Sequence, residues 1–154
     1  MARIIQSPKE LLVQANDILK NSLDPKTFVT AIYGVFDTLN GKLLFSRVGH
    51  TPLHLLRNSK VKRLVPGGIG LGLDYSDKFS NSIKEMEIDF INDDILVFYT
   101  DGVTESQNEH NEDFGYDRFD KILEENSNKT IDEISNAIMK EITVFSKNKA
   151  QHDD

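Results

Sequence analysis

One carboxylate in this chain stands where chemistry is commonly done. Ile95-Leu-Val-Phe-Tyr-Thr-Asp-Gly-Val-Thr-Glu105 runs from an unbroken apolar stretch into an aspartate–glycine pair. A short run of aliphatic, β-branched and aromatic residues predicts a strand, Ile95 to Tyr99, buried on both faces. Asp101 then sits where a buried strand ends, and Gly102 lets the chain turn without a Cβ clash. A carboxylate fixed at the mouth of a rigid strand can hold a hard cation or address a phosphate. An ordinary Asp-Gly turn accounts for the same residues, and the segment alone leaves both readings open.

The other chemistry-bearing residues have structural explanations. Gly68-Ile-Gly-Leu-Gly72 lacks the spacing of a dinucleotide fingerprint, no Lys-Ser/Thr follows it, and no helix is expected to open after it. It reads as a surface loop. His54, His110 and His152 show no metal-ligand spacing. Asp93-Asp94 reads as a turn entering a strand. Arg47, Arg57, Lys60, Lys62 and Arg63 form a basic cluster, either a solvated face or a dock for an acidic phosphorylated partner. Glu105 and Asn108 are expected to shape the loop after Asp101.

The elements that must position Asp101 follow from periodicity and turn chemistry. Ser7-Pro8-Lys9-Glu10 predicts a helix start with Ser7 as cap and Glu10 completing a capping box. Leu11, Leu12, Ala15, Ile18 and Leu19 fall on its inner face. Phe28 to Phe36 reads as a strand, and Asp37 to Gly41 as a hairpin turn in which Asn40-Gly41 supplies positive φ angles. Lys42 to Val48 is the partner strand. Short strands are expected at His54–Leu56 and Lys62–Val65, followed by a flexible loop from Pro66 to Gly72. Ile83, Met86 and Ile88 mark a further strand. A helix is expected over Asp117 to Glu125, with Phe119, Ile122 and Leu123 inward. A second helix opens on a Thr130–Glu133 capping box and carries an Ile134, Ala137, Ile138, Ile142, Phe145 stripe. Strands segregated from amphipathic helices predict an α+β domain.

The chain has 154 residues, room for one domain with a real core. Charged residues make up 28%, and the net charge of −7 argues against nucleic acid or anionic membrane as a partner. No cysteine is present, which excludes disulfides and thiolate–metal sites and agrees with a cytoplasmic location. No apolar run approaches the length of a membrane span, so no membrane insertion is expected.

Taken in order, Phe28-Val-Thr-Ala31, Asp37 to Gly41, Val48-Gly-His-Thr-Pro52, Gly70-Leu-Gly72, Leu96 to Glu105, Phe114-Gly115 and Gln151-His-Asp-Asp154 resemble the metal-dependent protein phosphatase superfamily (PPM, or protein phosphatase 2C). The bacterial SpoIIE-type branch is the nearest in pattern. The resemblance covers nearly the whole chain, residues 1–154. It implies an α-β-β-α sandwich of two antiparallel sheets flanked by helices. It also implies aspartates that hold two Mn²⁺ or Mg²⁺ ions, and a water between them that attacks phosphoserine or phosphothreonine. Hard oxygen ligands suit such ions, and no residue nucleophile is required. On this resemblance Asp101 and Asp153 are metal ligands, with Gly102 and Asp154 as neighbours that shape the site. The Gly-His-Thr-Pro turn around His50 would be structural.

The resemblance is incomplete. The family's upstream Gly-Asp-x-x-Gly motif, whose aspartate bridges the metals, has no counterpart, and Asp17, Asp24 and Asp37 lack its glycine context. The expectation is a partial phosphatase domain without its N-terminal strands and final strand. It would hold at most one cation weakly and be weak or inactive alone. It would also be prone to pair its open sheet edges with another copy or a complementing N-terminal segment. The expected substrate is a phosphorylated regulatory protein such as an anti-sigma-factor antagonist. The competing expectation is a non-catalytic interaction module in bacterial signalling.

Overall fold

The computed structural model describes residues 7–19, 22–24 and 26–147. Eleven elements follow in the order α1 (Pro8–Leu19), β1 (Ala31–Asp37), β2 (Lys42–Val48), β3 (Leu53–Arg57), β4 (Lys60–Leu64), α2 (Asp77–Ser82), β5 (Glu85–Asp89), β6 (Ile95–Val97), α3 (Asp101–Thr104), α4 (Gly115–Glu125) and α5 (Ile131–Phe145). They form two antiparallel three-stranded sheets, ordered β1-β2-β5 and β4-β3-β6, with helices, as the α+β expectation requires. Two compact units result. One comprises the residues up to His50 with Val65–Asn92. The other comprises Thr51–Leu64 with the residues from Asp93 onward.

In the first unit, β2 is the central strand and buries Leu43, Phe45, Ser46 and Val48. Leu12 of α1 joins Val48, Leu71, Phe79 and Ile83 in a core flanked by Val13, Ala15, Leu19, Ala31 and Tyr33. The expected inner face of α1 is shifted. Ile18 is 72% exposed, and Asn16 is buried in its place. Its amide donates to the Asp74 carbonyl, and its carbonyl accepts from Gly72 N–H. A polar side chain can be buried when both of its ends are bonded.

The expected α1 capping box is only half present. Ser7 Oγ accepts from Glu10 N–H at 3.1 Å. The carboxylate that completes the cap is Glu85 of β5, which accepts from Ser7 Oγ at 2.7 Å and from Lys9 N–H at 3.2 Å. The β1–β2 hairpin has the expected place, but of Asn40 and Gly41 only Gly41 takes a positive φ, of 62°. Asp37 Oδ1 caps the turn by accepting from Leu39 and Asn40 N–H.

The Pro66–Gly72 segment is bonded into the unit rather than flexible. Gly68 and Gly67 carbonyls accept from Gly49 and Lys84 N–H, and Leu71 exchanges both backbone bonds with Val29. A short helix, α2, does open after it, with Ser76 Oγ as its cap. Ile83 ends α2 rather than belonging to β5.

In the second unit, β3 pairs with β4 through a two-residue turn. Asn58 and Ser59 adopt positive φ of 51° and 60°, the geometry that matches strand twist in tight hairpins. The helices α4 and α5 arise as predicted. Phe119, Ile122, Leu123 and Ile134 are buried with Leu56, Tyr99 and Phe114 in one core, against which Ala137, Ile138, Ile142 and Phe145 pack. Thr130 and Glu133 form the full capping box.

Candidate functional site around Asp101

The ladder that leads to Asp101 is short. Strand β6 pairs with β3 through Ile95↔Leu56, Leu96↔Leu55 and Val97↔His54, and stops there. Its residues are half-buried and Phe98 is 52% exposed, so the expected strand to Tyr99, buried on both faces, is replaced by a three-residue edge strand. With β3 on one side only, the apolar run lacks a second partner strand among the described residues.

The chain then passes through Tyr99 and Thr100 into α3. Thr100 is the extended N-cap residue (φ −94°, ψ 165°) and makes no side-chain cap bond. Backbone bonds hold the turn. Val103 N–H donates to the Thr100 carbonyl at 3.1 Å, and Glu105 N–H to the Asp101 carbonyl at 2.8 Å. Thr104 Oγ1 and Ser106 Oγ donate to the Asp101 and Gly102 carbonyls. On this bonded turn the Asp101 carboxylate is exposed and has no hydrogen-bond or ion-pair partner among the described residues. Gly102 is not required by its backbone. It has no positive φ, and an added Cβ would meet only Thr100 Oγ1, at an ordinary 3.6 Å. Asn108 shapes the following loop, its Oδ1 accepting from His110 and Glu112 N–H.

Behind the turn lies a polar and aromatic cluster that periodicity does not announce. Tyr99 is buried, its ring centroid 5.0 Å from that of His54 and 4.6 Å from that of Phe119. Burial pushes the Tyr99 hydroxyl pKa above its ordinary value and keeps the ring neutral. Thr51 Oγ1, also buried, donates to the Tyr99 carbonyl at 2.5 Å. His54 is fully buried. Its Nδ1 faces the Pro52 carbonyl at 3.3 Å, and its Nε2 lies 2.9 Å from Asp120 Oδ1, off the hydrogen-bond direction. Burial draws the His54 pKa below its ordinary value, against the opposing pull of Pro52 and Asp120. The one signal in sequence for His54 was its place among the leucines of β3.

His50 is bonded into the first unit. Its Nδ1 lies 3.1 Å from Thr30 Oγ1, and Arg47 donates to its carbonyl. The neighbouring Gly49 has a φ of 66°, and a Cβ there would come within 3.1 Å of Gly70 Cα, so the close approach of two backbones demands glycine.

Most of the basic residues are bonded within the fold, while Lys62 is exposed. Arg57 forms a bidentate pair with Asp94, whose side chain is 1% exposed. Asp94 is therefore a buried partner and more than a turn residue, while Asp93 supplies the turn with a φ of 69°. Arg63 bonds Asp117 and Asp120, and Lys60 bonds Glu124. Arg47 donates to the Pro66 and His50 carbonyls.

As a ligand for a hard cation, Asp101 fits singly: it is an exposed, unpaired oxygen donor. No group of three or more His, Cys, Asp or Glu side chains that could hold a metal is present among the described residues. Asp153 and Asp154 lie outside the described residues. A groove of about 860 Å³ between α4 and α5, lined by Phe114, Ile122, Ala137 and Phe145 among others, does not include Asp101.

Comparison with solved structures gives the fold. The SiaA-PP2C domain of Pseudomonas aeruginosa superposes with a TM-score of 0.82 at 18% identity, covering 97% of this chain and 58% of that one. The RsbU and RsbW domains of Rv1364c from Mycobacterium tuberculosis match with a TM-score of 0.72 at 17% identity, over 92% of this chain and 39% of that one. The phosphatase domain of SpoIIE from Bacillus subtilis matches with a TM-score of 0.57 at 18% identity, over 99% of this chain and 63% of that one. The fold is that of a PP2C-type domain, in part. The family follows from sequence: the chain belongs to the SpoIIE family (Stage II sporulation protein E), which it matches over residues 1–154. A curated relative, Protein IcfG of Synechocystis sp. (strain ATCC 27184 / PCC 6803 / Kazusa), is 34% identical over 133 residues, 85% of this chain. The chain spans 20% of that relative's length.

Proposed function

We propose that this chain is the part of a SpoIIE-type serine/threonine protein phosphatase domain that presents Asp101 as a ligand to a divalent cation. The observation that carries this reading is the exposed, unpaired Asp101 on a hydrogen-bonded turn after β6, in a chain that matches the SpoIIE family throughout. The reaction is hydrolysis of a phosphomonoester. A water oxygen bonds to phosphorus, the serine or threonine oxygen leaves and takes a proton, and inorganic phosphate is released. Mn²⁺ or Mg²⁺, when bound, neutralises phosphoryl charge and acidifies water. The chain's own contribution is to hold the Asp101 carboxylate in place and free of competing cations. Asp153 is proposed as the second ligand and Asp154 as its orienting neighbour, on the family resemblance. The proposed substrate is a phosphorylated regulatory protein, such as an anti-sigma-factor antagonist, in the cytoplasm. No helix among the described residues is long and apolar enough to cross a membrane.

The test is Mn²⁺ titration by calorimetry with hydrolysis of p-nitrophenyl phosphate. Binding of Mn²⁺ that is lost in Asp101→Asn supports the reading, even if turnover by this chain is slow. Binding unchanged by Asp101→Asn overturns it. A second reading, a non-catalytic interaction module, is favoured by the lack, among the described residues, of any group of three or more His, Cys, Asp or Glu that could hold a metal. It predicts neither Mn²⁺ binding nor hydrolysis.

A further inference from the structure

The segment that delivers Asp101 leaves its sheet before it arrives. The ladder to β3 ends at Val97, so Phe98, Tyr99 and Thr100 run outside it. At the far end, α3 begins without the side-chain bond that normally fixes a helix start. Three residues of chain therefore separate the last ladder pair from an uncapped four-residue helix, and one buried bond reaches into the gap. Thr51 Oγ1 donates to the Tyr99 carbonyl at 2.5 Å. A carbonyl buried there without a donor would carry a full desolvation penalty. The ring of the same tyrosine is wedged against His54 and Phe119, which fixes the side chain while Thr51 fixes the peptide. Thr51 is itself placed at the head of β3, between Gly49-His50 and Pro52.

We infer that Thr51 is a positioning residue for Asp101. Its hydroxyl sets the orientation of the Tyr99–Thr100 peptide, and through it the direction in which α3 presents the carboxylate. Valine has the same shape without the donor, so Thr51→Val removes the bond and keeps the volume. Thr51→Ser keeps the hydroxyl and loses only a methyl group. The inference deepens the reading of Asp101 as a cation ligand and rests on it for its functional consequence. Its structural half stands on the geometry alone.

The test uses the full chain and two readouts. Amide hydrogen exchange at Val103 and Glu105 reports the turn directly, since these N–H groups bond the Thr100 and Asp101 carbonyls. Calorimetric Mn²⁺ binding reports the carboxylate. In Thr51→Val, exchange at both amides is expected to rise at least tenfold and Mn²⁺ affinity to fall about tenfold. In Thr51→Ser both are expected to stay within twofold of the parent. A merely structural threonine would lower the unfolding midpoint while leaving exchange at α3 in step with that of α4, and this result overturns the inference. So does unchanged exchange at Val103 and Glu105. If the parent chain and Asp101→Asn bind Mn²⁺ alike, the cation reading has failed, and the exchange result alone decides whether Thr51 sets the turn. Should Thr51→Val not fold, the difference between Thr51→Ser and Thr51→Ala reads the hydroxyl. Equal exchange in those two overturns the inference.

Discussion

Two regions of the second unit treat charge in opposite ways. Across β3, β4 and α4, carboxylates and cations are matched: Arg57 with Asp94, Arg63 with Asp117 and Asp120, Lys60 with Glu124. Glu124 also accepts from Val61 N–H, and this bond, with Lys60, holds its carboxyl below the usual carboxylate range. At the α3 turn the Thr100, Asp101 and Gly102 carbonyls all accept hydrogen bonds, yet the Asp101 carboxylate is left exposed with no partner among the described residues. Charges that hold the fold together are paired with one another. A rigidly mounted charge with no internal partner is available to something outside the fold.

The contrast breaks first at Asp101. Asp101→Asn is expected to abolish Mn²⁺ binding and any Mn²⁺-dependent hydrolysis, while stability in urea changes by less than about 0.5 kcal/mol, as for a surface site that makes no contact. A large loss of stability would show that Asp101 serves the fold, and the contrast would dissolve. The mirror experiment is Asp94→Ala. It removes the bidentate partner of a partly exposed Arg57 guanidinium and is expected to cost about 2 kcal/mol in urea unfolding, between a buried and an exposed pair, with Mn²⁺ affinity unchanged. A cost below about 1 kcal/mol would mean that the pair is as weak as an exposed one.

Much of this was legible in the sequence, and the failures share a cause. The helices α4 and α5 were readable because their apolar stripes and the Thr130–Glu133 box are local signals. The turn that carries Asp101 was readable because an apolar run meets an Asp-Gly pair. The residues that were missed act over long sequence separations. Asn16 is buried because residues 72 and 74 bond it, and Glu85 bonds the α1 cap residue Ser7 across 78 residues. Thr51 reaches Tyr99 across 48 residues. His54 looked inert for want of metal spacing, because its neighbours Asp120 and Tyr99 come from other elements. The apolar run Ile95–Tyr99 looked like a central strand, but hydrophobicity alone does not reveal whether a second strand pairs with it.

The paired region should also respond to pH, through His54. Burial holds its folded pKa below the ordinary imidazole value of about 6.5. A depressed histidine favours the native state above the unfolded pKa. As pH falls below about 6.5 the unfolded chain takes up a proton that the native state resists, so stability declines. One such proton gives a slope of at most about 1.4 kcal/mol per pH unit. The groups that face His54 are Asp120 and Tyr116 from α4, Arg63 from β4 and Tyr99 after β6. Urea unfolding at pH 7.5, 6.5 and 5.5 is expected to show this decline, and His54→Gln is expected to flatten it. A stability that rises on acidification to pH 5.5 would mean that Asp120 and Pro52 outweigh burial and that His54 is held protonated.

The smallest effect separates a local cap from one assembled across the fold. At α5 both halves of the capping box come from Thr130 and Glu133, and the bonds to Thr130 hold the Glu133 carboxyl below its usual range. At α1 the sequence offers the same box in Ser7 and Glu10, but Glu85 takes the carboxylate role. Glu10→Ala should therefore leave the unfolding midpoint nearly unchanged, whereas Glu85→Ala should cost about 0.5–1 kcal/mol, the usual range for a lost cap. The two substitutions remove the same charge from the same unit, so charge alone predicts equal effects and only the geometry of the cap separates them. Equal losses, or a larger one for Glu10→Ala, would place the cap back within the helix's own first turn.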